Sequence, residues 1–112
     1  MWRRHLPALV FTAGAVPLDA DGGLVGPEDP VAQAWQVMAN LEAQLAAGGA
    51  TPDDVVKTTV YVAGASHEHQ LAVWEVVQAS PFATAPSTLI GVALLGYRGQ
   101  LVEVEAIAVV DR

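Results

Sequence analysis

Residues 101–110 read LVEVEAIAVV, and no other stretch constrains the fold of this chain as tightly. Strand alternation places Val102, Val104, Ala106, Ala108 and Val110 on one face and Leu101, Glu103, Glu105, Ile107 and Val109 on the other. Both faces are largely apolar, so both need cover. The first face suits packing beneath helices, but the chain has only two helical patterns to offer. A neighbouring subunit is the simplest cover for the second face, and Glu103 and Glu105 then stand near a subunit interface.

The remaining elements follow from periodicity and punctuation. Leu9, Val10, Phe11, Thr12 and Ala13 read as a short strand closed by Gly14. An Asp-Gly turn over residues 19–23 lets Leu24 and Val25 return antiparallel. Asp29 and Pro30 form a cap and first position of a helix whose apolar residues Val31, Ala34, Trp35, Met38, Leu41 and Leu45 predict one buried stripe, ended by Gly48 and Gly49. After the turn at residues 51–54, β-branched residues dominate, and Val56, Thr58, Val60 and Val62 are expected to share a face. Ser66 caps a second helix running to about Gln78, with Leu71, Trp74 and Val77 or Gln78 along one side. Strands are expected over residues 88–95 and 101–110, joined by a turn at residues 96–99. The sum is a single α+β domain over residues 1–112, with two helices on one side of a mixed sheet.

Composition narrows function mainly by exclusion. Twelve acidic against five basic residues give a net charge of -7, and only Arg3 and Arg4 cluster, so nucleic acid is not an expected partner. Charged residues make up only 15% of the chain, which again points to surface buried against another subunit. The absence of cysteine removes disulfides, thiolate catalysis and sulfur-ligated metals, and fits a cytoplasmic location. The opening MWRRHLPALVFTAGAV has a basic start, but its apolar run is short and flows into a turn, so no secretory leader is expected. No segment approaches the ~18 apolar residues of a membrane span. His67 and His69 lie two apart at a helix start and do not face one another, so they read as a solvated face and no metal is expected. Ser87 has no His or Lys close in sequence to activate it, so it reads as a loop or strand-cap serine rather than a nucleophile. Trp35 and Trp74 read as core residues, and Gly14 as a position kept small for a turn or for close approach of a ligand.

Several segments together resemble the YjgF/YER057c/UK114 family, also called the Rid (reactive intermediate deaminase) family. Phe11-Thr12-Ala13-Gly14 is similar to its F-V-S-G pattern, and Gln33, Val37 and Asn40-Leu41 to its Q-x-x-x-V-x-x-N-L helix. Residues 49–57 (GATPDDVVK), Thr59-Val60-Tyr61-Val62, Gly91-Val92-Ala93 and Leu101 to Ala106 extend the likeness over nearly the whole chain. The resemblance implies a chorismate-mutase-like fold, a homotrimer built around a central barrel, and small-molecule pockets between subunits. It also implies a chemistry: hydrolysis of 2-imino and enamine acids to 2-keto acids and ammonia, without metal or cofactor. In that chemistry an arginine pairs with the substrate carboxylate, and a glutamate of the last strand helps place the attacking water.

Carried over residue by residue, the resemblance assigns the catalytic glutamate to Glu103 and ligand contacts to Ala13, Gly14, Ser87, Leu89 and Glu103. Ala85-Pro86-Ser87-Thr88 falls on the family's P-A-R-S, so Ser87 occupies the arginine position. Losing a charged fork costs about 1.5–3 kcal/mol of binding. Arg98 in the following turn reads as exposed rather than as a substitute, and Glu105 as structural. The N-terminal segment that often brings a tyrosine to the pocket looks shortened. The leading expectation is a homotrimer that binds a small metabolite with altered or absent imine deaminase activity. The alternative is a working hydrolase of imines or enamines. The family's older label of ribonuclease and translation inhibitor is opposed by the acidic balance.

Overall fold

The computed structural model describes residues 6–111. Four strands and two helices follow in the order β1 (Pro7–Phe11), α1 (Pro30–Ala47), β2 (Val55–Ala63), α2 (His67–Ala79), β3 (Ser87–Val92) and β4 (Val102–Asp111). They form one sheet ordered β1-β4-β2-β3. β4 is antiparallel to both of its neighbours, and β3 is parallel to β2, joined to it by the α2 crossover. Both helices lie on one face, as the α+β expectation required.

The alternation of β4 is realised in full. Val102, Val104, Ala106, Ala108 and Val110 are buried with Val60 and Val62 of β2 and with Ala34, Val37, Met38, Leu41 and Leu45 of α1. The opposite face has no layer over it among the described residues. It presents Leu9 (60% exposed) and Phe11 (68%) of β1, half-buried Ile107 and Val109 of β4, and Ile90 of β3.

The caps act locally as their chemistry dictates. Asp29 Oδ1 accepts hydrogen bonds from the backbone N–H groups of Val31 and Ala32, both at 3.1 Å, ahead of Pro30 at the first helical position. Ser66 Oγ accepts from the His69 N–H at the start of α2. Asp19 Oδ1 accepts from the Asp21 and Gly23 N–H groups and shapes the turn in which Gly22 has φ +82°.

Five sequence expectations need correction. The inner face of α1 is Gln33, Ala34, Val37, Met38, Leu41 and Leu45, while Val31 and Trp35 are 41% and 45% exposed. The Gln33 amide is drawn inward by backbone groups of two loops, and this turns Trp35 outward. A bulge between Val55 and Lys57 shifts the phase of β2, so Val55 joins the core and Val56 is exposed. In α2 the buried residues are Val73, Val76 and Val77, with Leu71 at 58% exposure. The antiparallel return at Leu24 is a lone bridge to Leu18, and β3 ends at Val92.

One buried defect makes a direct test. Thr58 is 1% exposed, and its hydroxyl and that of its cross-strand partner Ser87 are buried without a hydrogen-bond partner among the described residues. Thr58→Val keeps the shape and removes an unpaired hydroxyl, so stability is expected to rise by about 1 kcal/mol. Urea unfolding measures it; a lower midpoint would show that the hydroxyl has a partner.

Candidate functional site

β1 leaves β4 through a local irregularity that creates the site. Thr12 N–H donates to the Ala106 carbonyl, and Ala15 pairs with Val104 in both directions. Two residues, Ala13 and Gly14, therefore stand opposite the single residue Glu105. Gly14 lies directly against the Glu103 side chain: a Cβ there would collide first with Oε2, and would sit 2.7 Å from the carboxyl carbon and 2.9 Å from Cγ. The reason for a glycine at position 14 is thus room for a carboxylate, not a left-handed turn.

Glu103 stands on the uncovered face, opposite Tyr61 of β2. Its Oε1 accepts from the Gln100 side-chain amide at 3.1 Å. Among the described residues no cationic side chain pairs with it, and Oε2 accepts no hydrogen bond. Tyr61 donates its hydroxyl proton to Glu105 Oε1 at 2.5 Å. That bond, then burial, then the negative charges of Glu105 and Glu103, push the Tyr61 phenol above the ordinary tyrosine range. Further along this face Lys57 Nζ donates to Thr88 Oγ1 at 2.6 Å. A cavity of about 140 Å³ opens there between Phe11, Thr12, Lys57, Thr59, Glu105 and Ile107.

Of the residues singled out from the sequence, Gly14 and Glu103 come together, and Ala13 is the exposed neighbour of Gly14 in the same irregularity. Ser87 and Leu89 do not join them within one chain. They pair with Thr58 and Val60, so their side chains take the helix side of the sheet, and Leu89 packs on the core. Glu103, paired with Tyr61, takes the opposite side. Arg98 is exposed in a shallow groove with Gly64, Leu94 and Tyr97, and it makes no hydrogen bond or ion pair among the described residues. Arg3, Arg4 and the start of the shortened N-terminal segment lie outside the described residues. No group of three or more His, Asp or Glu side chains able to hold a metal ion is found among the described residues. No described helix is long and apolar enough to cross a membrane.

Tyr61, Lys57 and Gln100 were not singled out as site residues from the sequence. The parity that places Thr58, Val60 and Val62 inward leaves Lys57, Thr59 and Tyr61 on the glutamates' side, so part of that signal was available. The β2–β4 register was needed to set Tyr61 between them.

Comparisons with known proteins converge. The endoribonuclease L-PSP family model matches residues 5–110. A RutC family protein of Pyrococcus horikoshii is 32% identical over 100 residues, covering 88% of this chain and 77% of that protein. A 2-iminobutanoate/2-iminopropanoate deaminase of Salmonella typhimurium is 44% identical over 57 residues, covering 51% of this chain. The match spans only 44% of the Salmonella protein's length. A solved Rid-family protein of Yersinia pestis, its function unknown, superposes with a TM-score of 0.78 at 38% identity, covering 89% of this chain and 77% of its own.

Proposed function

The chain belongs to the endoribonuclease L-PSP family, which is the YjgF/YER057c/UK114 or Rid family, and from that premise we propose that it is a homotrimer binding a small metabolite between subunits, with imine deaminase activity altered or absent. The observation that carries this reading is the state of Glu103: a carboxylate set over the bare backbone of Gly14 that, among the described residues, has one oxygen without a hydrogen bond and no cation beside it. Such a group accepts from a water, an amine or an imine N–H. It offers nothing to a substrate carboxylate, and Ser87, at the family's arginine position, cannot supply that charge. Ser87 and Glu103 also lie on opposite faces of the sheet, so a pocket using both has to form between chains. The uncovered apolar face supports the same assembly.

The second reading, a hydrolase of 2-imino or enamine acids, is favoured by the free Oε2 of Glu103 as a place to hold water, and by relatives named as iminobutanoate deaminases. Ammonia release from 2-iminobutanoate generated in the assay separates the two. The expected result is release at the uncatalysed rate. Fast release that is lost in Glu103→Ala would replace the first reading with the second, and release that survives Glu103→Ala would remove Glu103 from the chemistry. A ribonuclease function has no support on this face, where Glu103 and Glu105 flank Tyr61 and the cation Lys57 is bonded to Thr88.

A further inference from the structure

We propose that Gln100 is the positioning residue of the site: it holds Glu103 Oε1 and leaves Oε2 as the one acceptor presented to a ligand. The proposal rests on the reading of Glu103 as the pocket carboxylate. Gln100 is only 3% exposed, in the turn that leads into β4. Two backbone groups dictate the orientation of its amide. The Tyr97 N–H donates to Gln100 Oε1 at 3.1 Å, and Gln100 Nε2 donates to the Val102 carbonyl at 3.0 Å. A flipped amide would set donor against donor and acceptor against acceptor. The second Nε2 proton then has one direction left, and Glu103 Oε1 accepts it at 3.1 Å.

Both donors of the amide are thereby used, and the bond to the carboxylate belongs to the stronger, charge-assisted class. The bare backbone of Gly14 lies beside Oε2 of the same carboxyl group, and the missing Cβ keeps that oxygen from being covered. A glutamate on an open strand face otherwise samples several rotamers, and aiming it at a ligand would cost that freedom at each binding event. The turn carrying Gln100 is itself anchored from α1. Gln33 Nε2 donates to the Gly99 carbonyl at 3.0 Å, and Gln33 Oε1 accepts from the Leu101 N–H at 2.7 Å. Glu103 is therefore held through a relay that starts in the helix layer and passes around the end of the sheet.

The test is nuclear magnetic resonance of the ¹⁵N-labelled full chain, read at the Gln100 side-chain amide. Its protons are expected to exchange with solvent at least about tenfold more slowly than those of the exposed Gln78. They are also expected to shift in Glu103→Gln while the Tyr97 backbone amide stays in place. Exchange as fast as at Gln78, or an amide unmoved by Glu103→Gln, would overturn the proposal. If the protein turns over 2-iminobutanoate, folded Gln100→Leu is expected to lose about tenfold to a hundredfold in kcat with KM within about threefold. Unchanged kcat would equally overturn it. If wild-type protein releases no ammonia, the hydrolase reading falls, and the resonance experiment decides the role of Gln100 independently.

Discussion

Gln33→Met is expected to lower unfolding stability by about 3 kcal/mol, a fall in Tm of about 10–15 °C at fixed protein concentration. Gln33 is fully buried, and its three hydrogen bonds go to the Gly26 carbonyl, the Gly99 carbonyl and the Leu101 N–H. Methionine matches its length, so the core volume is kept and the loss is polar. Two loops, one preceding α1 and one preceding β4, lose their common anchor, and backbone groups beside the core lose partners. An apolar core position replaced by an apolar isostere typically costs less than 1.5 kcal/mol, so the two causes separate in size. Chemical unfolding of the two proteins side by side measures the difference. A change under about 1 kcal/mol would mean that water replaces the amide at little cost.

The double variant Leu9→Glu with Phe11→Glu is expected to convert the proposed trimer to single chains. Both side chains are more than half exposed on β1, so the substitutions cost the isolated fold little. In an assembly that covers this face they place unpaired charges in a buried interface, at about 3–5 kcal/mol for each uncompensated charge. Association should weaken by more than about a thousandfold. Light scattering reads the outcome directly, and circular dichroism confirms that the fold survives. A variant that keeps the wild-type mass would mean that β1 lies outside the contact.

Much of the fold was legible in the sequence because its signals are local. Asp29 with Pro30, Ser66, and the Asp19 turn each act through backbone groups within four residues, so their chemistry reads the same in a peptide as in the protein. The positions that misled were those where one contact from afar outweighs periodicity. Trp35 continues an apolar stripe but is displaced outward by Gln33, whose partners at Gly99 and Leu101 lie more than sixty residues away. Val56 continues a β-branched alternation that a single bulge breaks. Leu71 has the right composition for a core but the wrong angle on α2.

The site divides along the same line. Alternation in residues 101–110 was enough to put Glu103 and Glu105 on the second, uncovered face, because side-chain direction in a strand has period two. The likeness to the Rid family drew attention to Gln33, Asn40, Gly14 and Ser87 without giving the reasons for them. Tertiary structure supplied reasons for the first three. Gln33 ties two loops, Asn40 Nδ2 donates to the Val16 and Leu18 carbonyls, and Gly14 makes room for Glu103. Only strand register could set Tyr61 beside the two glutamates and turn Ser87 to the helix side. Those are distances between segments. Pairing energy fixes them after the chain has folded, whereas periodicity and capping are written within a few residues.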